Sequence, residues 1–84
     1  MIKVFMYTLS TCPWCRKAKR FFAERGVPFE YVDYDLADDD EQQRIIDEMI
    51  RLSGSRSFPF VMIGDTVVVG WNREKYLELL GLDE

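Results

Sequence analysis

The spacing of apolar residues changes several times along this chain, and each change marks an element. Ile2 to Tyr7 carries one charge in six residues, the pattern of a strand buried on both faces, so it is placed at the centre of a sheet. From Pro13 to about Arg25, Trp14, Ala18, Phe21 and Phe22 recur at helical spacing, with Arg16, Lys17, Arg20 and Glu24 between them and Gly26 as the stop. Phe29 to Tyr34 follows Val27-Pro28 and is rich in aromatic and β-branched residues. It predicts a second strand, and Glu30 and Asp33 place it near the sheet edge. Strand, helix and strand in this compact order imply a right-handed crossover and a parallel pair.

The second half changes period twice more. Asp38-Asp39-Asp40-Glu41 precedes Ile45, Ile46, Met49 and Ile50 at helical spacing. The acidic run is therefore read as a cap and dipole partner rather than as a binding patch, and this helix ends near Ser53. After the turn-rich stretch from Leu52 to Ser57, Phe60–Ile63 and Thr66–Val69 flank Gly64-Asp65, a two-residue link that closes an antiparallel hairpin. Asn72 to Leu80 gives a last short helix, with Tyr76, Leu77 and Leu80 on one face, Asn72 as N-cap and Gly81 as stop. The expected architecture is α/β: a four-stranded mixed sheet in the order βαβαββα, with three helices.

Composition narrows the possibilities. Eighty-four residues suit one domain spanning 1–84, and a 48% hydrophobic fraction supplies its core. Eleven basic against fifteen acidic residues leave a net charge of −4, the wrong sign for a nucleic-acid binder. The apolar start lacks the charged n-region and cleavage site of a secretory signal, and no run is long enough to span a membrane. A cytoplasmic monomer without membrane contact is expected.

Both cysteines lie in Cys12-Pro13-Trp14-Cys15, between the first strand and the first helix. Pro13 fits the first helical position, which makes Cys12 the N-cap. The amides of Trp14 and Cys15, the helix dipole, and the charges of Arg16 and Lys17 all favour a Cys12 thiolate. Cys15, one turn inside, is shielded and keeps a higher pKa, as suits a resolving thiol. A four-residue loop removes little chain entropy, so a structural staple is a poor explanation. Zinc wants four ligands, and the chain has no His and no third Cys, so no metal is expected within one chain. Zinc or an iron–sulfur cluster shared between two chains is the alternative from another class; a binding scaffold without turnover is a third.

Tyr7-Thr8, Cys12-Pro13-Trp14-Cys15, Lys17-Ala18, Phe58-Pro59 and Gly70 together resemble the glutaredoxins, and more broadly small thioredoxin-fold proteins, over essentially the whole chain. The resemblance implies a thioredoxin-like fold and a thiol–disulfide oxidoreductase. Cys12 would be its nucleophile and Cys15 its resolving thiol, the two closing a redox-active disulfide. It implies no bound cofactor, electrons from glutathione or from a flavoprotein such as thioredoxin reductase, and disulfide-containing proteins or glutathione as partners. It also implies a cis peptide before Pro59, with the Phe58 backbone pairing to a bound peptide or glutathione as an added strand and Gly70 permitting close approach. Pro13 and Trp14 would border the groove. Trp71 reads equally as groove wall and as packing aromatic, and Asn72 shares its segment. Arg56 and Arg73 read equally as ligands for a carboxylate and as surface charges.

Three segments depart from the glutathione-using pattern. Ser57-Phe58-Pro59 stands in place of Thr-Val-Pro. Gly70-Trp71-Asn72-Arg73 replaces Gly-Gly with acidic residues, and Leu9-Ser10-Thr11 lacks the basic residue often found ahead of the cysteines. These departures resemble the NrdH-type redoxins, which are reduced by thioredoxin reductase.

Overall fold

Strand β1, Val4–Thr8, occupies the middle of the sheet because its residues are apolar on both faces. The computed structural model describes residues 2–82. After β1 come α1 (Pro13–Glu24), β2 (Phe29–Asp33), a 3-10 turn (Tyr34–Leu36), α2 (Asp39–Ser53), β3 (Phe60–Ile63), β4 (Thr66–Val69) and α3 (Arg73–Leu80). The strand order is β2-β1-β3-β4. β1 runs parallel to β2 and antiparallel to β3, and β3 pairs antiparallel with β4. This is the thioredoxin-like α/β arrangement expected from the sequence, with β2 at one edge.

Each face of the sheet has its own core. On one face Val4, Met6, Val61, Ile63 and Val68 pack against Ala18, Phe21 and Phe22 of α1 and Tyr76 and Leu77 of α3. On the other, Tyr7 and Phe60 meet Ile45 and Met49 of α2. Phe22 is fully buried, so Phe22→Ala costs about 3–5 kcal/mol.

The helix boundaries follow capping chemistry. The Asp38 carboxylate accepts the Glu41 N–H at 2.9 Å, and the Asn72 side-chain carbonyl accepts the Lys75 N–H at 3.1 Å, each satisfying an amide that lacks an intrahelical partner. Gly54 and Gly81 end α2 and α3 in the left-handed conformation. Three expectations shift. β1 begins two residues after Ile2 and runs on to Thr8, whose hydroxyl is buried and donates to Asp33 Oδ1 at 2.5 Å. β2 stops at Asp33 because Tyr34 opens the 3-10 turn. Ile50, aligned with the buried stripe by spacing, is 47% exposed because α2 presents Ile45 and Met49 to the sheet instead.

The pairing register gathers three chain segments at one end of the sheet. Tyr7 of β1 lies opposite Phe60 of β3, and Phe60 opposite Val69 of β4. The loop leaving β1, the residues preceding β3 and the residues leaving β4 therefore converge there. Those segments hold Leu9–Cys12, Phe58-Pro59 and Gly70-Trp71.

Candidate active site

Pro13 opens α1 and Cys12 takes the N-cap position with extended backbone (φ −84°, ψ 120°). Both cysteines are free thiols; Cys12 is half-buried and Cys15 fully buried. The Cys12 side chain makes no full capping bond at the start of α1, yet the amides of Cys15 and Trp14 lie near enough to stabilise its thiolate, as expected. Partial burial alone would push this thiol up. The amide of Cys15, the neighbouring Cys15 thiol, the amide of Trp14 and the Arg16 charge outweigh it and hold Cys12 below the ordinary thiol range.

Cys15 is driven the other way. Burial pushes it up to about 12, against the Leu9 N–H that donates to its sulfur at 3.4 Å, and proximity to Cys12 adds to the rise. One motif thus holds an ionisable outer thiol and a protonated inner one, the division that nucleophile and resolving thiol require.

A cleft of about 270 Å³ lined by Trp14, Phe58, Gly70 and Trp71 opens beside the motif. Trp14 is 53% exposed. Trp71 is half-buried, edge-on to Phe21 and Tyr76 at 5.6 and 5.5 Å between ring centres, so it is packing aromatic and cleft wall at once. The Phe58–Pro59 peptide is cis and Pro59 is buried. The Phe58 ring packs on Tyr34, while the Phe58 backbone makes no backbone hydrogen bond with another described residue outside the regular elements. Gly70 has φ +84°, and a Cβ there would meet nothing within 4 Å. Its glycine is therefore demanded first by the left-handed backbone. Its N–H donates to the Pro59 carbonyl at 2.8 Å and its carbonyl accepts the Tyr76 hydroxyl at 2.5 Å, which lock the far wall.

The other expected contacts disperse. Arg56 is exposed on the loop after α2, away from the lining of the cleft. Asn72 commits its side-chain carbonyl to capping α3. Arg73 faces a separate recess beyond Trp71. Lys17, expected to add to the field at Cys12, sets its ammonium over the rings of Trp14 and Trp71, 5.1 and 5.0 Å from their centres.

Two clusters gave no sign in the sequence. The Ser10 N–H donates to Asp35 Oδ1 at 2.8 Å and the Ser10 hydroxyl to Oδ2, contacts that hold the Asp35 carboxyl below its usual range. Arg16 donates to the Ser10 carbonyl at 3.3 Å. Together they pin the loop that delivers Cys12. Beneath it, Lys19 pairs with Asp33 at 3.2 Å, with Thr8 on the same carboxylate oxygen. Partners 14 and 25 residues apart leave no periodic trace, so no signal in a single sequence would have found them. Among the described residues no cluster of three or more His, Cys, Asp or Glu is placed to hold a metal ion, and no helix is long and apolar enough to cross a membrane.

The sequence model of the glutaredoxin family matches residues 4–68. The chain belongs to the glutaredoxin family. It is 34% identical, over 95% of its length and 97% of the relative's, to a glutaredoxin-like 8.6 kDa protein in a rubredoxin operon of Clostridium pasteurianum. Among solved structures it is similar to a glutaredoxin of Archaeoglobus fulgidus (TM-score 0.87, 41% identity, 95% of this chain and 87% of that one). It is equally similar to the methanoredoxin of Methanosarcina acetivorans (TM-score 0.88, 40% identity, 95% and 85%). As a glutaredoxin-family protein the chain is a thiol–disulfide oxidoreductase.

Proposed function

We propose that the chain reduces disulfides of proteins and small molecules by a dithiol route through Cys12 and Cys15, in the cytoplasm, as a monomer without a bound cofactor. The observation that carries this reading is the opposite displacement of the two thiol pKa values within one helical turn. The Cys12 thiolate attacks one sulfur of the substrate, and the other sulfur leaves as a thiolate that takes a proton from water. Cys15 then loses its proton and attacks the Cys12 sulfur. The second substrate sulfur departs and takes up the proton that Cys15 gave up, so the substrate leaves as a dithiol carrying the two electrons and the protein is left oxidised as the Cys12–Cys15 disulfide. The cleft walls Trp14 and Trp71 seat the substrate chain, and the Phe58 backbone pairs with it as an added strand. Pro13 stiffens the motif.

The electron donor is the finer part of the reading. The described residues lining the cleft carry no carboxylate to meet the glutathione ammonium, and Trp71-Asn72-Arg73 stands where glutathione users carry acids. This supports a flavoprotein such as thioredoxin reductase as donor. The oxidised protein is recycled separately with NADPH plus thioredoxin reductase and with glutathione plus glutathione reductase. Faster recycling by thioredoxin reductase is expected. A faster glutathione system overturns the donor assignment, and loss of turnover in Cys12→Ser but not in Cys15→Ser overturns the dithiol route.

A further inference from the structure

Basic side chains are concentrated on α1. The chain as a whole carries −4, yet α1 holds Arg16, Lys17, Lys19 and Arg20 against the single acid Glu24. α2 opens on Asp39, Asp40 and Glu41 and adds Asp47 and Glu48, against Arg44 and Arg51. The basic side of α1 does not face empty solvent evenly. It forms part of a recess of about 230 Å³ where Lys17, Arg20, Arg25 and Arg73 meet Trp71, with Glu24 as the lone carboxylate among the described lining residues.

Two features tie this recess to the dithiol. Trp71 is a shared wall: one part of its surface lines the cleft beside Cys12–Cys15 and another lines the basic recess. Lys17 sits at the junction, its ammonium over both tryptophan rings. Arg20, one helical turn on, is exposed and makes no ion pair with any described residue. Through Trp71 the recess adjoins the cleft, so a chain leaving the cleft past Trp71 enters it.

We infer that this recess is a specificity site for protein disulfides whose cysteine is flanked by an acidic segment, with Arg20 and Lys17 receiving the carboxylates. The complement is a short acidic stretch of polypeptide. A long polyanion such as nucleic acid meets the net negative charge of the whole molecule, whereas a few carboxylates beside a disulfide meet only the local positive field. The inference rests on the oxidoreductase reading and adds the class of substrate.

The test uses the pre-reduced protein and three peptides whose single cysteine is activated as a 2-pyridyl disulfide and flanked by Glu, Gln or Lys. A neutral control, 2-hydroxyethyl 2-pyridyl disulfide, has no flanking chain. Release of pyridine-2-thione gives the second-order rate constant without any electron donor. At low ionic strength Arg20→Glu is expected to slow the Glu peptide by roughly 3- to 10-fold, to speed the Lys peptide, and to leave the Gln peptide and the neutral control unchanged, with Arg20→Gln intermediate. Salt at about 0.5 M shortens electrostatic reach to a few ångströms and is expected to erase the differences. Equal rates for Glu and Lys peptides on the unaltered protein overturn the proposal. So does a loss shared by the neutral control, which assigns the effect to the thiols; no reaction of the unaltered protein with the neutral control refutes the oxidoreductase reading instead.

Discussion

The two thiols of one four-residue motif are predicted to differ in reactivity by a measurable factor when the reduced protein is alkylated at pH 7. Cys15 is raised from 9.0 to about 12, so its thiolate population at pH 7 falls about 1000-fold below that of an unperturbed thiol. A more basic thiolate is intrinsically more nucleophilic, with a Brønsted slope of about 0.4–0.5, which returns roughly 15- to 30-fold. Ionisation alone therefore leaves Cys15 about 30- to 60-fold slower than a cysteine in an unstructured peptide. Complete burial of its side chain slows it further. Cys12 moves the opposite way, so its pH profile is expected to inflect below the free-thiol value of about 8.5. Arg16→Ala, which removes the charge that helps lower it, shifts that inflection upward. The assay is iodoacetamide labelling at graded pH with early time points resolved by peptide mass spectrometry. Labelling of Cys15 in the folded protein at the rate of a free cysteine would refute the reasoning, as would a Cys12 inflection at or above about 8.5.

Two further outcomes concern stability. Cys15, Tyr7 and Tyr76 are each raised to about 12 from 9.0, 10.0 and 10.0, chiefly by burial, so above those starting values the unfolded chain releases protons that the fold retains. Stability then falls as pH rises, by up to about 1.4 kcal/mol per pH unit for each group. Cys12, depressed in the fold, contributes the reverse: its stabilisation grows as pH rises toward 9 and is lost on acidification through its folded value. Reduced protein should therefore be most stable near pH 9 and decline beyond it, while the disulfide form, lacking thiol protons, begins its decline near pH 10 with the tyrosines. Urea midpoints between pH 7 and 11 in both redox states check this, and a common onset in the two states contradicts it. Tyr76→Phe deletes the buried hydroxyl that holds the Gly70 carbonyl and should cost about 1–2 kcal/mol, lowering Tm by about 4–8 °C per kcal/mol. An unchanged melting curve would show that the cleft wall stands without that bond.

What the sequence disclosed depended on the range of the interaction. Ala18, Phe21 and Phe22 announced the buried side of α1 because a helix repeats its face every three to four residues, and all three are buried. Asp38 and Asn72 announced their helices because a cap acts on an amide three residues away. The Cys12 cap position was legible from Pro13 for the same reason. Ile50 misled because spacing marks an apolar stripe without saying how far a helix rolls toward the sheet. The Ser10–Asp35 and Thr8–Asp33–Lys19 contacts stayed invisible, since they exist only once parallel pairing of β1 and β2 sets Thr8 opposite Asp33. The destination of Lys17 was hidden too: a cation beside a thiol motif reads as part of its field, and only the fold of Trp71 back onto α1 also offers it two rings.

Trp71 shows why choosing between packing and binding was the wrong question for that residue. A ring wedged edge-on to both Phe21 and Tyr76 has already given up its rotamer freedom to the core, so a ligand lying against its outer face orders nothing there. Trp14 stands on the opposite footing, more than half exposed, with the Lys17 ammonium that it shares with Trp71 lying over its ring. Binding in the cleft therefore orders one wall and merely meets the other. A Lys17→Met side chain, similar in length and without charge, would leave Trp71 set by the core and release Trp14, so its effect on the Gln-flanked peptide, which offers no carboxylate to a cation, isolates the contribution of the adjustable wall.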